Sequence, residues 1–190
     1  MTVPSINEVS GYMTGIVKLV QGDQSGLYFL DLSTRGFWRS FWAFVYCLPA
    51  FAYFWVLERN AELQRFPDQL LGTGFFARAA IAEVLSIAAA LVAVAIAARP
   101  LGIADRFAQW VIAANWLSLP ISYVLAAIGL AATSIPGSGG GFLVMIAVIA
   151  ALIVTWRVYR SALNGDGMLA FIVLLISQAV SVLVAVGLGG

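Results

Sequence analysis

The sequence predicts an all-α fold, a polytopic membrane helix bundle with five transmembrane helices and an N-terminal amphipathic helix. Three observations predict it. Five apolar stretches are each long enough to cross a ~30 Å hydrocarbon core at ~1.5 Å per residue. The 190 residues are 62% hydrophobic and only 10% charged, where soluble domains hold about 45–50% and about 25%. The polar residues gather in short segments between the stretches, and a soluble core of this size could not hide so much apolar surface. Residues 1–36 are therefore read as an amphipathic or interfacial segment and residues 37–190 as the transmembrane domain.

The N-terminal segment opens on Ser5-Ile6-Asn7-Glu8, the pattern of a capping box in which serine and glutamate satisfy free backbone N–H groups at a helix start. Ile6, Val9, Met13, Ile16, Val17 and Val20 follow helical spacing and share one face. Asn7, Glu8, Thr14 and Lys18 occupy the other, and Gly22 is placed to stop the helix. Such a helix can lie in the headgroup plane or pack on the protein's own bundle. The segment lacks the basic start and apolar core of a cleavable signal, so the first span is expected to act as its own insertion signal.

Gly26 to Gly36 reads as a connector in which Asp31, Ser33 and Thr34 offer capping oxygens. Phe37, Trp38, Phe41, Trp42 and Phe44 then surround Arg39. Aromatic rings around a snorkelling arginine mark a membrane–water boundary. The first span runs from Phe37 to Leu57, with Pro49 expected to kink it. Glu58 to Gly74 is polar. It reads as a solvated extension of that span in which Glu62 and Arg65 can pair, followed by a break at Gly72-Thr73-Gly74.

The second span, Phe76 to Ala98, is alanine-rich, which lets neighbouring helices approach closely. Arg99-Pro100-Leu101-Gly102 ends it. The third, Phe107 to Ala131, holds the most polar set: Asn115, Ser118, Pro120 and Ser122. Ser134 to Gly141 is a glycine-rich turn. It lacks the lysine and the preceding strand of a phosphate loop. The fourth span, Phe142 to Tyr159, closes on Trp156, Arg157, Tyr159 and Arg160. Asn164-Gly165-Asp166-Gly167 is a tight turn, and the fifth span runs from Met168 to Gly187 with Gln178 inside it.

Five spans put the termini on opposite sides. With the N-terminus inside, that side carries Lys18, Arg35, Arg39, Arg99, Arg106, Arg157 and Arg160. The other carries Arg59, Arg65 and Arg78. Seven basic residues against three favour a cytoplasmic N-terminus and a periplasmic C-terminus.

Chemistry is sparse. The chain has no histidine and one cysteine, which removes the commonest general base and any multi-cysteine metal site. Cys47 lies inside a span and reads as an inert thiol. No basic run tracks phosphates, so no nucleic acid is expected. No catalytic, cofactor-binding or metal-binding residue is assigned, and no cofactor is implied.

The candidate intramembrane polar site is Glu83, Ser122, Tyr123, Asn115 and Gln178. Glu83 is the acid inside the second span, roughly 10 Å below the outer surface. A carboxylate at such depth costs at least ~2.5 kcal/mol. Ser122 and Tyr123, on the antiparallel third span at comparable depth, are its expected hydrogen-bond partners. Arg78 can reach toward it from the interface. In one reading Glu83 holds helices together. In the other it handles protons or a cation on a polar path with Ser122, Asn115 and Gln178. A transport path of that kind ordinarily shows further charges and internal repeats, which the sequence does not.

Five spans, a polar amphipathic start and a short basic turn before the last span resemble the Yip-domain membrane proteins. The local match is best at Trp156-Arg157-Val158-Tyr159-Arg160-Ser161-Ala162-Leu163, followed by a turn and a final helix from Met168. Of the longer acidic motif of the eukaryotic members, Asp31-Leu32 is the only counterpart. The resemblance implies a non-enzymatic membrane protein acting through contacts with membrane lipids and with a membrane-protein partner or a second copy of itself. The alanine content and short loops look bacterial, so an inner membrane is the expected location. The competing expectation is a small transporter or channel subunit that uses Glu83.

Overall fold

A computed structural model describes residues 2–65, 72 and 74–189. Helix α1 (Ile6–Gln21) is followed by a 3-10 turn over Gln24–Phe29, a short α2 (Thr34–Ser40) and α3 (Trp42–Arg65). Then come α4 (Gly74–Ala98), a 3-10 turn over Ala104–Arg106, α5 (Phe107–Ala132), α6 (Gly139–Ala162) and α7 (Gly167–Gly189). Five of these segments are long and apolar enough to cross a membrane: Thr34–Arg65, Gly74–Ala98, Ala104–Ala132, Gly139–Ala162 and Gly167–Leu188. Among the described residues every regular element is helical.

Several helix ends are set by local side-chain or glycine chemistry. Ser5 accepts from the Glu8 N–H and Glu8 reaches back to the Ser5 N–H at 2.7 Å, completing the capping box. Gly22 ends α1 at φ 88°, a left-handed conformation open to glycine at little cost. Ser33 caps α2 and is itself held by Asp31 at 2.6 Å. Asp166 accepts from the N–H groups of Met168 and Leu169, both at 2.9 Å, and so caps α7.

The first span is not one uninterrupted helix from Phe37. It breaks at Phe41, between α2 and α3. The Ser40 hydroxyl donates to the Phe37 carbonyl at 2.7 Å, the carbonyl a continuous helix would use for the Phe41 N–H. Pro49 lies within α3. Helix α3 continues to Arg65, in keeping with the expected extension of the span, and α6 begins three residues early, at Gly139. No Glu62–Arg65 ion pair forms among the described residues. The break at Gly72-Thr73-Gly74 falls largely outside the described residues, as does Asp68.

The hydrophobic core sits at one end of the bundle. It joins Tyr12, Ile16 and Leu19 of α1 to the ends of α4 (Val94, Ala98) and α6 (Val158, Ala162) and to the starts of α5 (Trp110, Trp116) and α7 (Ala170, Val173). Helix α1 packs on α5 and α6, α3 on α5, and α4 chiefly on α7. Tyr12 lies over Trp116 with ring centroids 4.6 Å apart. At the opposite end Ile81, Val84, Leu130, Phe142, Val182 and Val186 are exposed.

Helix α1 thus packs on the bundle with much of the predicted face, since Val9, Met13, Ile16 and Val20 meet the core, but the helix is turned so that Tyr12 and Leu19 join them and Ile6 and Val17 do not. Ile6 is 88% exposed and Val17 55% exposed, while Tyr12, Ile16 and Leu19 are buried. The rotation follows from Gly15. A Cβ there would lie 2.7 Å from the Gly26 carbonyl oxygen, so two glycines let α1 and the following turn touch backbone to backbone, and that contact fixes which side of α1 faces inward.

Candidate functional site

Two features stand at the core end of the bundle: a docked N-terminal segment and a buried polar seam. The docking is carried by side chains from the span ends. Arg39 places Nη1 and Nη2 at 2.8 Å from the two Glu8 carboxylate oxygens. Tyr46 Oη donates to the Pro4 carbonyl at 3.2 Å, and Arg35 donates to the Thr2 hydroxyl at 3.2 Å. At the far end of α1, Ser161 and Arg157 donate to the carbonyls of Leu19 and Gln21, both at 3.3 Å. The Leu19 carbonyl also accepts from the Gly22 N–H at 3.0 Å, whereas the Gln21 carbonyl lies in the last turn, where carbonyls find no partner within the helix, and Arg157 of α6 supplies one.

The Glu8 carboxylate is the focus of that docking. It accepts from Arg39 and, through the capping box, from Ser5. The Arg39 guanidinium first, then the Ser5 backbone and hydroxyl, hold its carboxyl down to about 2 against an ordinary 4.5. Arg39 is 6% exposed. The sequence reads it as snorkelling toward water, whereas the structure buries it against a carboxylate. Burying a guanidinium is tolerable only with such a bidentate partner.

The seam runs between α3 and α5. Asn115 donates from Nδ2 to the Ser40 hydroxyl at 2.9 Å. Ser118 donates to the Asn115 carbonyl at 2.6 Å and lies 3.7 Å from the Cys47 sulfur. Ser122 reaches the same sulfur at 3.3 Å and the Leu119 carbonyl at 3.0 Å. Tyr123 donates to the Tyr46 carbonyl at 3.0 Å. That carbonyl is one residue on from Val45, whose usual acceptor role Pro49 removes for want of an N–H.

The five residues expected to form one polar site are therefore not brought together. Asn115 and Ser122 share the seam, and Tyr123 flanks it. Glu83 lies elsewhere, because α4 packs on α7 and barely touches α5. Ser122 and Tyr123, its expected partners, spend their hydroxyls on Cys47, Leu119 and Tyr46. Among the described residues no hydrogen bond or ion pair reaches Glu83, from Arg78 or any other. Gln178 stands on the exposed side of α7.

Sequence pattern alone does not reveal Ser40 as Asn115's partner or the Glu8–Arg39 pair. One signal was present: an acid in the first turn of α1 and an arginine at the mouth of the first span fall on the same predicted side. No group of three or more histidine, cysteine, aspartate or glutamate residues placed to hold a metal occurs among the described residues. No family model matches the chain, and neither do curated proteins or solved structures.

Proposed function

We propose that the chain is a five-span membrane protein of Yip-like type that works by contact with other membrane proteins and with lipids, without catalysis. The observation that carries this reading is the outer face of α7. Met168, Phe171, Leu175 and Val182 are exposed there, and with Gln178 they fall at the three- and four-residue spacing of a helix–helix seam. Gln178 is eleven residues past Gly167, about 17 Å along a helix of 23 residues. Hydrocarbon offers an amide at that depth no partner, whereas a neighbouring protein helix can hydrogen-bond it. The seam has the form of an apolar interface with one polar residue setting register.

The charge distribution supports a cytoplasmic N-terminus and a periplasmic C-terminus in a bacterial inner membrane. The alternative, a transporter or channel subunit using Glu83, draws on that half-buried carboxylate. Its separation from Asn115, Ser122 and Gln178 weighs against a shared path.

Affinity purification from native membranes in mild detergent tests the role. A stoichiometric companion or a second copy is expected with the wild type and is lost with Gln178→Leu. A protein that purifies alone as a monomer contradicts the reading. A phosphatase reporter fused to the C-terminus is expected to be active, and an inactive one refutes the orientation.

A further inference from the structure

A small cavity opens where α1 ends, α6 ends and α7 begins. It has a volume of about 160 Å³ and is lined by Gly22, Gln24, Arg157, Arg160, Ser161 and Gly165. Its two charged residues are both arginines, one helical turn apart on α6. None of the ion pairs among the described residues involves them. Each guanidinium is aimed by a backbone carbonyl: Arg157 donates to Gln21 at 3.3 Å, and Arg160 donates from Nε to Gly165 at 2.9 Å. Arg160 also lies over the Trp156 ring at 5.7 Å.

The walls are kept low by glycine. Gly22 and Gly165 have φ of 88° and 85°, and a Cβ on Gly165 would come within 3.3 Å of the Gln24 side-chain nitrogen. Both positions are thus held free of side chains at the cavity rim. The nearby acids are engaged elsewhere: Asp23 binds Lys18 and Ser25, and Asp166 caps α7. Two oriented guanidiniums, an amide and no carboxylate in the lining form a receptor for a tetrahedral oxyanion, because arginine's planar fork matches phosphate oxygens two at a time.

We infer that this cavity binds a phosphate group, presented either by an anionic lipid headgroup or by free phosphate. The site goes beyond the contact role proposed above and stands without it, since it rests on α1, α6 and the start of α7 rather than on the outer face of α7.

The test uses the full chain in detergent, titrated with short-chain phosphatidic acid and, separately, with inorganic phosphate. Saturable binding of one or both is expected. It should weaken at least tenfold in Arg157→Gln and Arg160→Gln and stay unchanged in Arg99→Gln, which removes an exposed charge outside the cavity. Because both cavity arginines also hold backbone carbonyls, Gln24→Glu provides a second variant. It keeps both arginines, sets a carboxylate beside them and should abolish binding without altering the thermal midpoint. Displacement of the lipid by inorganic phosphate would show that the site accepts the free anion as well. A lipid that binds and is not displaced would assign it to the headgroup. Absence of saturable binding by either probe, an equal loss in Arg99→Gln, or full binding in Gln24→Glu overturns the proposal.

Discussion

Arg39 meets Glu8 with both arms of its guanidinium, each nitrogen 2.8 Å from a separate carboxylate oxygen. The arginine belongs to α2, at the mouth of the first span, and the glutamate to the first turn of α1. One contact therefore neutralises a buried cation, joins a helix cap and fixes the N-terminal helix to the bundle. Glu8→Gln should release that end of α1. The thermal midpoint in detergent is expected to fall by several degrees, and limited proteolysis should cut near α1 in the variant but not in the wild type. Combining it with Arg39→Gln should cost less than the sum of the two single changes, because the residues act as a pair.

The same contact predicts a response to acid. The Glu8 carboxyl is held at about 2 in the fold against an ordinary 4.5. A lowered carboxyl value contributes stability that is fully present above 4.5 and is lost as pH falls toward 2. Thermal midpoints measured from pH 6 down to pH 2 should decline through this window in the wild type. The Glu8→Gln variant should show a shallower decline, leaving only the contributions of other acids such as Asp23, which Ser25 and Lys18 also hold at about 2.

The polar seam predicts a modest cost for its amide. Asn115→Ala removes the bond to Ser40 and should destabilise the α3–α5 contact by about 1 kcal/mol, the usual size of an interhelical hydrogen bond between spans. Ser40→Ala should cost a similar amount, and the double variant little more than either. Unfolding in a graded detergent mixture measures all three.

Two glycines on α1 should behave oppositely. Gly15→Ala sets a methyl 2.7 Å from the Gly26 carbonyl oxygen and should destabilise by about 1–3 kcal/mol, the cost of overpacking. A Cβ on Gly11 meets nothing within 4 Å. Gly11→Ala should leave docking intact and gain up to about 1 kcal/mol of helix propensity. Circular dichroism melts of the two variants in one detergent compare them directly.

The helices themselves were legible in the sequence because length and apolarity suffice to identify a span, and because Ser5, Ser33, Gly22 and Asn164 carry local chemistry that ends or starts a helix. Their arrangement was not. Helices α4 and α5 are consecutive and antiparallel, which sets Ser122 and Tyr123 at the depth of Glu83, yet α4 turns to α7 instead. An alanine-rich helix that is apolar on every side carries no periodic signal to say which face meets which neighbour. The rotation of α1 was hidden for a related reason. Its inward face is chosen by two glycines in backbone contact, and hydrophobic spacing does not register glycine. Arg39 was legible as a boundary residue, but its partner lies 31 residues away on another element.

The outer face of α7 can be examined directly with a photoreactive amino acid at Leu175, one turn from Gln178 and 52% exposed. Illumination in native membranes is expected to give a discrete adduct with a protein, either a partner or a second copy, and Gln178→Leu should diminish it. Labelling that yields no protein adduct, or an adduct indifferent to Gln178→Leu, would contradict a role built on that contact.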